Sequence, residues 1–225
     1  MKVGYIIRSP TVESAYNQLI PLIFTNGEKV TSENGQETLE LLDCTVIINN
    51  PLLHFNSKKE PVRIPVSYPF GKQYIQKYIQ QIFYGTTTKF CYDYHSRLFN
   101  YRGDTNQIEY CIRKLQENIN SRRAVAITWY PGLDTAVDEV PCLQFIQFLV
   151  RNGKLFMKVL FRSNDALLAF PANAYGLMRL GLYVAEQLGA RFDKYSHTSV
   201  SMHIYYERDR SYIKQYFPEC YKLIE

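Results

Sequence analysis

Residues 142–162, CLQFIQFLVRNGKLFMKVLFR, hold the strongest folding signal in the chain. Two apolar runs rich in aromatic and β-branched residues, 142–151 and 154–162, flank Asn152-Gly153. Asn-Gly is the pair best suited to the two positive φ angles of a two-residue hairpin turn. The stretch therefore predicts an antiparallel hairpin whose outer ends, Cys142 and Arg162, are neighbours in space.

Working outward, residues 38–49 also read as a strand, closed by Asn50-Pro51, and 124–130 and 195–206 as two more. Residues 71–84 read as a helix ending at Gly85 as its C-cap, and 173–189 as another ending at Gly189. After Asp104 as a candidate N-cap, Ile108, Cys111, Ile112, Leu115 and Ile119 recur at three- and four-residue steps, one buried helix face. Cys111 is then a core residue. Strands dominate the C-terminal half with helices between them, which predicts an α+β fold with a large mixed or antiparallel sheet and flanking helices. No repeat, low-complexity tract or linker divides the chain, so a single domain over 1–225 is expected.

Composition narrows the classes. A chain of 225 residues with 46% apolar and 21% charged residues can bury a substantial core, which excludes disorder. The formal charge of +5 favours anionic partners without separating nucleic acid from a phosphorylated metabolite. Five cysteines, Cys44, Cys91, Cys111, Cys142 and Cys220, are odd in number and form no Cys-x-x-Cys pair, arguing against a disulfide framework or a zinc site. They read as reduced thiols. No apolar run approaches a membrane span, and a cytoplasmic protein is expected.

Several residues carry chemistry in this frame. Cys142 follows Pro141 at the start of a strand, and Arg162 across the hairpin would favour its thiolate and bind an anion. Arg122-Arg123 suits bidentate phosphate contact, or is a solvated charge pair. Asn173 opens a helical stretch, as an N-cap or as a polar reader. His203 and Tyr205 alternate along a strand and share one face. Each residue taken alone is more commonly a packing, capping or solvated residue than a functional one.

Taken in order, Arg122-Arg123, Trp129, Asp134, Pro141-Cys142 with Gln147-Phe148, Arg162-Ser163-x-Asp165, Asn173 and His203-Ile204-Tyr205 resemble thymidylate synthase and its pyrimidine hydroxymethylase relatives. The likeness covers about residues 120–207, and the wording around Cys142 and Arg162 is most similar to the short archaeal form. It implies the thymidylate synthase-like fold and a role for each matching position. Cys142 would add to carbon 6 of a pyrimidine nucleotide, activating carbon 5 toward a one-carbon unit. Arg162 and Ser163, with Arg122 and Arg123 of a second subunit, would hold the phosphate. Asp165 would organise the base pocket, Asn173 would read the base edge, and His203 with Tyr205 would hold the sugar hydroxyl. The implied cosubstrate is 5,10-methylenetetrahydrofolate or methylene-tetrahydromethanopterin, with no metal, and the implied assembly is a homodimer. A nucleic-acid partner is not expected, since binding alone needs no thiol.

Three departures bear on the reaction. The loop Ser32–Thr38 lacks the arginine that the family carries there as a phosphate ligand, and Arg8 lies too far upstream to replace it. The family's helix glutamate, seven residues before a glycine, corresponds to Tyr78, and residues 71–84 contain no carboxylate. The sequence closes at Leu223-Ile224-Glu225 without a match to the family's closing tail, which bears on water exclusion. Glu139, three residues before Cys142, is a candidate replacement for the acid/base group. The leading expectation is conversion of dUMP to dTMP. Hydroxymethylation of dUMP, dCMP or CMP is the alternative within the same chemistry, and an inactive nucleotide- or RNA-binding protein is the alternative from another class.

Overall fold

A computed structural model describes residues 2–86 and 93–225; Cys91 lies outside them. In chain order the elements are β1 (Val3–Ser9), α1 (Val12–Asn26), β2 (Glu28–Thr31), β3 (Glu37–Ile48), a short 3-10 turn (Pro51–His54), α2 (Gly71–Tyr84), α3 (Tyr94–Phe99), α4 (Gln107–Glu117), β4 (Val125–Ile127), α5 (Pro131–Asp134), β5 (Leu143–Arg151), β6 (Lys154–Asp165), α6 (Phe170–Gln187), β7 (Arg191–Ile204), α7 (Arg210–Tyr216) and α8 (Pro218–Tyr221). Seven strands form one mixed sheet in the order β1-β3-β7-β6-β5-β4, with β2 paired to β3. β1 runs parallel to β3 and β6 to β7, and the remaining pairs are antiparallel. This is the α+β mixed sheet with flanking helices that the sequence predicts.

The hairpin forms as read. Asn152 and Gly153 have φ of 51° and 69°, both in the left-handed region, and Leu143 pairs with Phe161 at the far end. Helix α2 also forms as read, its C-cap Gly85 at φ 81° donating its N–H to the Gln81 carbonyl. Four expectations need correction. The N-cap of α4 is Asn106, whose carboxamide oxygen accepts from the Glu109 N–H at 3.0 Å, because Asp104 is held in the Tyr101–Thr105 turn. Ile119 lies beyond the helix end and is exposed. The 124–130 strand shrinks to Val125–Ile127, since the Thr128 hydroxyl donates to the Leu143 carbonyl and the Thr128 carbonyl accepts from Arg97. Asn173 is no cap but the fourth residue of α6, which starts at Phe170 with Pro171 in its first turn.

The sheet face beneath the helices places the site. Along β3, β7 and β6 that face begins with apolar, fully buried neighbours, such as Ile48, Tyr195 and Met157, or Val46 and Val159 on either side of His197. The alternation along the strands is interrupted where Asp43 takes φ 54° and Asp43, Val200 and Arg162 drop out of the pairing; beyond it Ser201 lies beside Ser163, and Glu40, His203 and Asp165 form the next row. The polar floor of the site is thus built just past a break in the strands' two-residue pattern, while Leu39, Leu41, Met202 and Ile204 remain in the core. On the opposite face Ile47, Phe145 and Leu160 are only half-buried and Ile6 is exposed.

Candidate active site

A cavity of about 860 Å³ opens above that polar floor. Its lining includes Cys142, Arg162, Ser163, Asp165, Asn173, His203 and Tyr205, together with Glu139 at an exposed position. The structure thus brings eight of the ten candidate residues to one place. Arg122 and Arg123 do not join them; both are exposed just before β4, where the Arg122 carbonyl accepts from Gln147 at 2.9 Å.

Cys142 is half-buried and sits one residue before β5. Its carbonyl accepts from the Arg162 N–H at 2.8 Å, closing the hairpin's outer end. The Arg162 side chain curls back over the same loop: Nε donates to the Pro141 carbonyl at 3.1 Å and an Nη to the Val140 carbonyl at 2.9 Å. Arg162 therefore clasps the segment that carries the thiol, using two of the five donors of a guanidinium. Its exposure leaves the head available to an anion.

Asp165 shapes the turn into α6. Oδ1 accepts from the Leu167 and Leu168 N–H groups at 3.0 Å each, and Oδ2 pairs with Arg208 at 2.6 Å. Arg208 also bonds Asp209 through two nitrogens and lies 4.1 Å over the Tyr205 ring. Burial lowers the proton affinity of Arg208, but its hydrogen bonds to Asp209 and Asp165 outweigh this and hold the guanidinium charged. Sequence reading missed Arg208, because the two-residue alternation that relates His203 to Tyr205 ends with β7.

Asn173 is buried, and its amide is bound at both ends. Oδ1 accepts from the Tyr78 hydroxyl, and Nδ2 donates to Asn164 Oδ1 at 3.1 Å. A carboxamide has two donors and two acceptor sites, so one N–H and one lone pair are left for a ligand. Tyr78, seven residues before Gly85, thus touches the proposed base reader from α2. His203 pairs across the sheet with Glu40, and its Nδ1 lies 3.3 Å from Ser201 Oγ, which donates to Glu40. Burial pushes the His203 pKa down, opposed by Asp165 and Glu40. Glu40 was also overlooked; the signal for it was a lone carboxylate between Leu39 and Leu41 in an apolar strand. Asp134, by contrast, is structural: it forms a buried ion pair with Arg97 at 2.6 Å and accepts from the Tyr130 N–H.

Among the described residues no group of three or more His, Cys, Asp or Glu side chains can hold a metal ion, and no helix is long and apolar enough to cross a membrane. A family model described as thymidylate synthase matches residues 71–220. The chain belongs to the thymidylate synthase family, and so to the one-carbon transferases of nucleotide biosynthesis, which take a nucleotide and a methylene-folate-type cosubstrate. Relatives named "Putative thymidylate synthase" agree. That of Methanocaldococcus jannaschii is 48% identical over 97% of this chain and 98% of its own. Those of Methanosarcina barkeri and Methanothermobacter thermautotrophicus are 38% and 32% identical, over 91% and 90% of this chain and 91% and 94% of theirs.

Proposed function

We propose that this chain methylates dUMP to dTMP, with Cys142 as the nucleophile. The observation that carries the reading is the pairing, in one cavity, of a half-buried thiol with an amide that has one donor and one acceptor left to offer. Uracil presents a carbonyl and a ring N–H along one edge, which that pair satisfies. With the base so held, Cys142 adds to carbon 6 and carbon 5 becomes the nucleophile. Arg162 keeps the thiol's loop in place, and His203 and Tyr205 take the sugar hydroxyl.

The pterin fits the same space. Tyr74, Tyr78 and Tyr94 line the cavity opposite its polar floor, giving a flat ring system aromatic walls to pack on. When bound, that cosubstrate supplies the carbon and the hydride. Hydroxymethylation is the second reading, favoured by the exposed position of Glu139 at the cavity, where a carboxylate can direct water toward the reacting carbon.

The phosphate site also favours a homodimer. Among the described residues six carboxylates line the cavity, Glu33, Glu40, Asp93, Asp138, Glu139 and Asp165, against the guanidiniums of Arg162 and Arg208. Arg208 is already engaged by Asp165 and Asp209. A dianionic phosphate gains from further cations, which Arg122 and Arg123 of a second copy supply in this reading.

Cys142→Ala tests the chemistry. Turnover should fall below a few per cent of wild type while dUMP still binds within about tenfold, because the thiol acts in the reaction and the amide and guanidinium in binding. An alanine variant with substantial turnover contradicts the reading.

A further inference from the structure

The Asn173 amide is the front end of a buried relay. Tyr78 donates to Asn173 Oδ1, Asn173 Nδ2 donates to Asn164 Oδ1 at 3.1 Å, Asn164 Nδ2 meets His197 Nε2 at 2.7 Å, and His197 Nδ1 meets Tyr195 Oη at 2.8 Å. Asn164 is 3% exposed, while His197 and Tyr195 are fully buried at the centre of the sheet and do not line the cavity. We propose that this relay, through His197 and Asn164, which play no part in the reaction itself, decides which pyrimidine the cavity accepts by fixing the polarity of the Asn173 amide. The proposal rests on the reading that Asn173 faces the base.

Polarity follows from counting donors. A neutral imidazole offers one N–H and one lone pair. Burial above all, and Lys158 beside it, push the His197 pKa down to about 3, so the ring is neutral in ordinary buffers. Its Nε2 accepts from Asn164, so Nδ1 carries the proton and donates to Tyr195 Oη. The ring is also held in place: Phe161 stacks on it at 4.5 Å and 10°, and Phe170 meets it edge-on at 5.0 Å. At the other end Gly176 lets α2 approach, since a Cβ there would lie 2.5 Å from Ile82 Cδ1 and 3.1 Å from Tyr78 Cδ1.

A lone flip of the Asn173 amide sets its oxygen against the Asn164 oxygen, two buried acceptors with no proton between them. Reversal demands that both amides flip and that the imidazole proton moves from Nδ1 to Nε2. With the observed polarity, the spare lone pair lies on the Tyr78 side and the spare N–H on the Asn164 side. That order suits uracil's ring N–H and carbonyl. Cytosine, with a bare ring nitrogen and an amino group, meets the reverse of what it needs.

Calorimetric titration of wild type, His197→Phe and Asn164→Leu with dUMP and dCMP tests the relay without requiring turnover. Wild type should favour dUMP by at least about tenfold, and both variants should bring the ratio within about threefold of unity. Damage to packing alone weakens both nucleotides in proportion and leaves the ratio unchanged. An Asn164→Leu or His197→Phe protein that is folded by circular dichroism, binds both nucleotides and keeps the tenfold ratio overturns the proposal. If wild type binds neither nucleotide, the reading of the cavity fails instead, and ¹⁵N spectra of the labelled imidazoles still decide the relay. His197 should be protonated at Nδ1; protonation at Nε2 overturns it.

Discussion

His54 and His197 show what burial does to a single side chain here. His54 Nε2 accepts from the Val12 N–H at 2.9 Å, at the start of α1, and Nδ1 faces the Pro51 carbonyl at 3.0 Å. Burial chiefly lowers its pKa to about 4, and that of His197 to about 3. The unfolded chain then binds protons before the folded one, so stability rises with pH, and it falls as pH drops from about 6.5 toward 4. For His54 the full loss is about 3 kcal/mol. His54→Gln keeps an acceptor for Val12 but cannot titrate, so it should flatten the fall in the urea midpoint between about pH 7 and pH 5. An unchanged slope contradicts the assignment. At this scale the sequence was partly legible. Cys142, Arg162 and Asn173 stand out through their motif; Asn164 lies inside the Arg162–Asp165 motif but was given no role there, and His197 belongs to no local pattern and gains a role through residues distant in sequence.

The element that positions the base reader is α6, and Asp165 decides where it starts. One carboxylate oxygen holds two N–H groups of the entering turn, the other holds Arg208, and the Ala166 N–H donates to the His203 carbonyl at 2.7 Å. Asp165→Ala should cost about 1–3 kcal/mol, since it strands those donors, while Asp165→Asn, which keeps an acceptor oxygen, should cost less. Equal melting temperatures for the two variants would remove Asp165 from this role. The hairpin and α2 were readable because Asn152-Gly153 and Gly85 are local signals. The unit β1–α1 was not read: Val3–Ser9 pairs in parallel with a strand more than thirty residues away, and in α1 Pro21 interrupts a run whose Val12, Ala15, Tyr16, Leu19, Ile20, Ile23 and Phe24 nevertheless recur at helical spacing. The start of α6 was misjudged because the holding carboxylate lies five residues upstream of Phe170, in β6.

For the whole molecule, the acidic cavity and the sheet face of exposed Ile6 and half-buried Ile47, Phe145 and Leu160 lead to the same expectation, a dimer that brings arginines to the neighbouring site. Mixing Cys142→Ala with Arg122→Ala/Arg123→Ala, each inactive alone, should restore part of the activity through heterodimers with one intact site. No recovery after proven subunit exchange contradicts the shared site. The central claim is tested most directly by mass spectrometry of the nucleotide formed when the protein is incubated with dUMP and a methylene-pterin donor, folate or methanopterin. The account predicts dTMP, absent with Cys142→Ala; a 5-hydroxymethyl product, or unchanged dUMP with both donors, would contradict it.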